Sequence, residues 1–178
     1  MVKKFGGKSP QVWTNFAHFL HNTRGSPDRA RALLPRATQT LPSHTHLALT
    51  TKFAALEFRS SNGDPERGRT IFEGLLATYP TKFDLWNQLL DLEISVFAAN
   101  KAKDAGDADP ATVRDVFERG TKVKSLKARR AKAWFQRWAK WEEENGDPKS
   151  REKVSAKAKE WAREAEARKK AGEADDEE

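Results

Sequence analysis

One phrase recurs four times along the chain: an aromatic residue in most copies, then large, small or apolar residues at i+3, i+4 and i+6, and usually Glu at i+7. The copies are Trp13/Phe16/Ala17/Phe19/Leu20, Thr50/Phe53/Ala54/Leu56/Glu57, Trp86/Leu89/Leu90/Leu92/Glu93 and Phe135/Trp138/Ala139/Trp141/Glu142. A Ser-Pro or Asp-Pro step follows each, at Ser26-Pro27, Asp64-Pro65, Asp109-Pro110 and Asp147-Pro148. Six residues beyond each proline stands Leu33, Ile71, Val116 or Val154. The phrases begin 37, 36 and 49 residues apart. A period in that range, with one insertion, predicts stacked supersecondary units.

Residues at i, i+3, i+4, i+6 and i+7 share one side of a helix, so each phrase predicts a first helix with a wide apolar stripe. The Asp-Pro or Ser-Pro step predicts the start of a second helix. Its short oxygen side chain can accept from orphan amide N–H groups, and proline fits the first helical position, where no donor is needed. The second helices carry apolar edges of their own, Leu33/Leu34/Ala37, Ile71/Phe72/Leu75 and Val116/Phe117. A single pair cannot bury both edges, so neighbouring pairs must stack. Ion pairs linking the two helices of one unit are expected at Glu57 with Arg69 and at Glu93 with Arg114.

These residues resemble the HAT (half-a-TPR) repeats of RNA-processing factors. The likeness lies in Trp86 with Glu93, in Asp64-Pro65-Glu66-Arg67-Gly68-Arg69 with Ile71-Phe72-Glu73, in Val113-Arg114 with Val116-Phe117-Glu118-Arg119, and in Tyr79-Pro80. The run Lys52 to Phe58, with Gly63 to Arg69 and Phe83-Asp84-Leu85-Trp86, is similar to the carboxy-terminal repeats of a family of large ribosomal-RNA-processing factors. The resemblance implies an all-α fold, a right-handed α-solenoid of HAT/TPR-like helix pairs. It makes Trp13, Phe16, Phe19, Phe53, Leu56, Glu57, Arg69, Trp86, Glu93, Arg114, Trp138 and Trp141 the structural residues of the repeat. It also implies a nucleolar scaffold needed for small-subunit pre-rRNA maturation. The implied partners are pre-ribosomal assembly proteins of the small-subunit processome, with an RNA helicase as one candidate. Pre-rRNA would be bound mainly by OB-type domains of the full-length protein. The same repeat type occurs in splicing and messenger-RNA 3′-end factors, which is the alternative setting.

Thr50, Leu20, Glu152 and Ser155 depart from the pattern. The last two make the fourth second helix read as an end cap. Residues 1–8 are expected to be the end of a preceding repeat or a leader, with Lys3 to Gly7 as its last turn. Residues 9–165 are expected to form about four helix pairs with an insertion near 97–109, and 166–178 a charged, disordered acidic tail. The insertion, Ala98 to Ala108, either extends a helix or forms a loop, with Gly106 and Asp107 favouring a stop there.

The formal charge of +7 favours acidic or nucleic-acid partners without choosing between them. It is unevenly spread: Lys122, Lys124, Lys127, Arg129, Arg130 and Lys132 fall in a run with no acidic residue, in the connection between the third and fourth units. That run is the candidate contact for RNA phosphates or an acidic protein, against the plainer reading of a solvated connection. No apolar stretch approaches the roughly twenty residues of a membrane span, so no membrane partner is expected.

Catalytic and cofactor readings find little support. Gly7-Lys8-Ser9 ends like a phosphate-binding loop, but Val2 stands where the first glycine belongs and no strand precedes it. The chain has no cysteine. His18 with His21 and His44 with His46 lack a placed carboxylate or thiol to complete a metal site. No enzyme activity, cofactor or metal is expected. Trp134, Trp138 and Trp141 form one helical stripe that reads as core, with base stacking as the functional alternative. Trp161 is the tryptophan expected to be exposed or to close the array. Two functions remain, a protein-interaction scaffold and a direct RNA-binding module.

Overall fold

The computed structural model describes residues 9–103 and 108–175, with side chains described as far as residue 170. Every element among them is helical: α1 (Pro10–His18), a π-helical turn (Phe19–Thr23), α2 (Pro27–Arg31), α3 (Leu33–Thr40), a 3-10 turn (Ser43–Thr45), α4 (His46–Arg59), α5 (Pro65–Thr78), α6 (Phe83–Ala102), α7 (Pro110–Thr121), α8 (Ala128–Asn145) and α9 (Pro148–Asp175). The fold is all-α, and helices adjacent in sequence pack on one another, α4 along α5 and α8 along α9 most extensively. The chain divides into two compact units, Met1–Ala99 and Asn100–Glu178. No described helix is long and apolar enough to cross a membrane.

The second helices start where the proline steps place them. The Asp64 carboxylate accepts from the Glu66 and Arg67 amides, Asp109 from Ala111 and Asp147 from Ser150. Ser26 departs from this: its hydroxyl donates to the Arg24 carbonyl, and α2 has no side-chain cap. The first unit also splits its second helix into α2 and α3. Pro35 explains the break, because it has no N–H for the Arg31 carbonyl and its ring crowds that turn.

In the first unit Trp13, Ala17, Leu20, Ala30, Leu33, Ala37, Leu41, Leu49 and Phe53 share one core, with Phe16, Leu34 and Leu56 partly buried against it. Phe19 breaks the expected stripe: it is 44% exposed and stacks on Phe16, with ring centroids 6.4 Å apart. The π-helical turn begins at this residue, and the buried pair here is Leu20 and His21, as it is Glu57 and Phe58 in the second phrase. The same turn separates the two histidines that the sequence puts on one face, His18 being exposed. Trp86, Leu89, Leu90 and Leu92 of α6 are buried as the phrase requires.

In the second unit, Phe117 of α7 lies among three tryptophans of α8. Trp138 stacks on it at 5.4 Å and 2°, Trp134 meets it edge-on at 5.4 Å, and Trp141 lies at 6.2 Å. The Trp134 indole N–H donates to the Phe117 carbonyl at 2.9 Å. The tryptophan stripe is core. The insertion lengthens α6 as far as Ala102, while the expected stop at Gly106 and Asp107 lies outside the described residues, as do residues 1–8 with the Lys3 to Gly7 turn.

The C-terminal expectation needs correction. In place of a disordered tail from residue 166, α9 continues as helix to Asp175. Ala, Glu, Lys and Arg dominate this stretch, and all are strong helix formers. Arg168 reinforces it, reaching the Glu164 carboxylate one turn back while its guanidinium lies 5.8 Å from the Trp161 ring. The last acidic residues, 176–178, lie outside the described residues.

Two substitutions test this packing. Trp86→Ala should cost about 3–5 kcal/mol, because the ring fills space that its neighbours cannot collapse into. Gly120→Ala should cost about 1–3 kcal/mol through overpacking, since its methyl would fall 2.4 Å from the buried Trp134 ring. Denaturant unfolding of each variant checks both.

Candidate interaction surface and the bridges that position it

The last position of the phrase puts a carboxylate inside the protein: Glu57, Glu93 and Glu142 are 2–3% exposed. A charge so placed needs a partner of good geometry. Each receives an arginine fork. Arg31 Nε and Nη2 donate to the two Glu57 oxygens at 2.8 and 2.8 Å, and Arg69 to those of Glu93 at 2.7 and 2.7 Å. Arg114 donates to Glu142 at 2.9 and 2.8 Å. Rings close two of these bridges, Phe58 at 6.0 Å from the Arg69 guanidinium and Trp141 at 5.9 Å from that of Arg114.

This pairing corrects the expected one. Arg69, expected at Glu57, forks onto Glu93, and Arg114, expected at Glu93, forks onto Glu142. The arginine four residues past each proline reaches forward to the phrase of the following unit. The glutamate closes the stripe by which a first helix packs on the preceding second helix, so its carboxylate faces that helix. Arg31, absent from the expected repeat residues, belongs to the series, as does Glu142 through Arg114. The series stops at Glu152, which holds the arginine position after Pro148.

Glu57 carries more than the bridge. The Asp64 amide donates to it at 3.0 Å, tying the end of α4 to the start of α5. His21 Nε2 lies 3.6 Å from it, and the other ring nitrogen lies 2.9 Å from the Ser60 hydroxyl. Burial, the largest influence, pushes the Glu57 carboxyl up. The hydrogen bonds from Arg31 and Asp64, with smaller help from the Arg31 and His21 charges, outweigh it and hold the group below the ordinary glutamate range. Arg31 is raised, chiefly by its bond to Glu57.

All six residues of the basic run are exposed, and buried Leu126 anchors the segment between them. Lys122, Lys124 and Lys127 lie in the connection, but Arg129, Arg130 and Lys132 lie on the first turns of α8. That helix start has no side-chain cap and no acidic residue in its first turn. Cations there oppose the helix dipole, by about 0.3–1 kcal/mol each at most when exposed. The rings beside the run are engaged in packing: Trp134 is buried, and half-buried Trp161 donates its indole N–H to the Thr121 carbonyl at 3.1 Å. Electrostatic contact, without ring stacking, is what this edge offers.

A double-mutant cycle separates the two pairings: Arg31 with Glu57 should show a coupling of about 1–3 kcal/mol, and Arg69 with Glu57 under about 0.5 kcal/mol. The pH dependence has a fixed sign. A carboxyl held low in the folded state stabilises fully above the unfolded glutamate value, about 4.3, and loses that contribution as pH falls through its folded value. Glu57→Gln should therefore flatten the acid limb of stability against pH, as urea titrations at each pH would show.

The family model described as the PRP39 N-terminal HAT repeat matches residues 45–162. Among curated relatives, the rRNA biogenesis protein rrp5 of Schizosaccharomyces pombe is 41% identical over 165 residues, 93% of this chain and 9% of the relative. Protein RRP5 homolog of Homo sapiens is 36% identical over 161 residues, 90% of this chain and 8% of the relative. The rRNA biogenesis protein RRP5 of Arabidopsis thaliana is 32% identical over 162 residues, 91% and 8% respectively. The chain thus spans less than a tenth of the length of these relatives. With the phrase, the proline-capped second helices and the forward bridges in place over the matched residues, the chain belongs to the HAT-repeat family.

Proposed function

We propose that the chain is a protein-interaction scaffold in ribosome biogenesis, holding assembly proteins of the small-subunit processome in the nucleolus during maturation of small-subunit pre-rRNA. The observation that carries this reading is the division of labour along the chain. Most of its large aromatic side chains and its buried charge pairs are spent on holding helices together, while exposed positive charge with no acidic residue among it runs along the edge from Lys122 to Lys132. Relatives named for rRNA biogenesis, matched over 93% and 91% of this chain, supply the setting. An RNA helicase remains one candidate partner. The polar residues of the interior act in structure, which supports a binding role over a catalytic one.

The six exposed cations favour one second reading, direct contact with RNA phosphates. A salt series distinguishes them. Phosphate contacts make the logarithm of the binding constant fall steeply with the logarithm of salt, by about 0.7 per neutralised phosphate on single strands. Weak binding to structured RNA with a flat salt response supports the scaffold.

Charge reversal at Lys124, Lys127, Arg129 and Arg130 together should keep helicity and should not lower the unfolding midpoint, because the sites are exposed and acidic residues at the α8 start suit the helix dipole. Recruitment to pre-ribosomal particles should fall, since rim charges set encounter rates. Normal cosedimentation of this variant with particles, together with an ordinary rate of small-subunit RNA maturation, would leave the run a solvated face and place the partner surface on the insertion from Ala98 to Ala108.

A further inference from the structure

The last helix pair holds an open groove of about 630 Å³ between α8 and α9, floored by Phe135, Ala139, Ala158, Trp161, Ala162 and Ala165. The opposite side of the pair is already engaged. Trp134, Trp138 and Trp141 pack around Phe117, and Lys157 pairs with Glu118 of α7 at 2.8 Å while its ammonium lies 5.6 Å from the Trp138 ring. These contacts hold α9 down from one side and leave its alanine face open. From Ala128 to Ala139 the floor runs about 16 Å along α8, some three helical turns.

The groove is not shaped for another unit of the same kind. Each earlier second helix offers an arginine to the glutamate of the following first helix, but α9 has Glu152 in that place. Glu152 lines the continuation of the groove with Lys140, Glu143 and Arg151. A phrase ending in glutamate would meet a carboxylate there. The other end is basic: Lys132 and Lys169 line it against Glu166, and exposed Lys127, Arg129 and Arg130 adjoin it. Charge therefore grades from positive at the α8 start to balanced at the other end, where Arg151 pairs with Glu143 at 3.1 Å and Lys140 offsets Glu152.

We infer that this groove docks an amphipathic helix of a partner protein, its apolar face on the alanine floor and its acidic residues at the end that meets Lys132 and Lys169. The inference rests on the scaffold reading and names the chemistry of one partner. The basic end sets the direction, because the charge-balanced end at Glu152 offers an acidic segment no net attraction.

Fluorescence anisotropy on the whole chain tests this with two synthetic peptides sharing one Leu/Ala stripe, one with glutamates clustered at one end and one with lysines in the same places. A polyuridine oligonucleotide is the third probe. The acidic peptide should bind about tenfold or more tighter than the basic one. Ala162→Arg should weaken it at least about tenfold despite adding a favourable charge, and Lys132→Glu, on the other wall, should narrow the preference between peptides. Circular dichroism verifies that both variants keep their helices. Absence of peptide binding, equal binding of both peptides, or binding indifferent to Ala162→Arg would overturn the inference. So would polyuridine competing for the same site, which gives the groove to RNA, or self-association abolished by Ala162→Arg, which gives it to a second copy. If the peptides fail while the quadruple basic-run variant still loses particle recruitment, the groove assignment falls and the scaffold reading stands.

Discussion

A carboxylate buried at the end of a first helix cannot stand alone, and most of the repeat follows from that constraint. Removing one partner of such a pair costs about 3–5 kcal/mol. The phrase therefore requires an arginine at a fixed distance and angle. In each bridge the arginine comes from the preceding second helix and meets the carboxylate with two parallel hydrogen bonds, which fixes orientation as well as proximity. Apolar stripes allow helices to slide and rotate with little penalty. A forked bridge does not, so Arg31 to Glu57, Arg69 to Glu93 and Arg114 to Glu142 set the register that the stripes leave loose.

Seen this way, the polar residues of the interior serve structure, and interaction falls to the surface. The basic edge from Lys122 to Lys132 and the alanine groove beside it lie in the same unit, sharing Lys132. On the proposed reading, the cationic edge would speed encounter and the shallow apolar floor would supply a contact that persists once partners meet. The two surfaces complement one another without requiring any catalytic group.

The sequence made the helical phrase, the proline starts and the core tryptophans legible, because each depends on local spacing. It was less informative where spacing and space disagree. An arginine stands at the fourth position after three prolines, but proximity in sequence points Glu57 to Arg69 of its own unit, whereas the packing faces the glutamate backward onto Arg31. The π-helical turn at Phe19 has no local signature, since it reflects the fit of α1 against the rest of its unit. The break before Leu33 does have a local signature, Pro35. The continuation of α9 beyond residue 165 follows from helix propensity that charge content alone obscured. The groove depends on how two helices meet, which no single stretch of sequence records.

Forward bridging is the central claim, and amide hydrogen exchange of two single variants measures it most directly. Arg31→Ala should raise exchange in α4 and at the Asp64 amide, where Glu57 loses its partner, while Arg69→Ala should raise exchange in α6 around Glu93 and leave Asp64 protected. Exchange rising in α4 on Arg69→Ala, with Arg31→Ala silent there, would mean that the bridges close within units and would contradict the account.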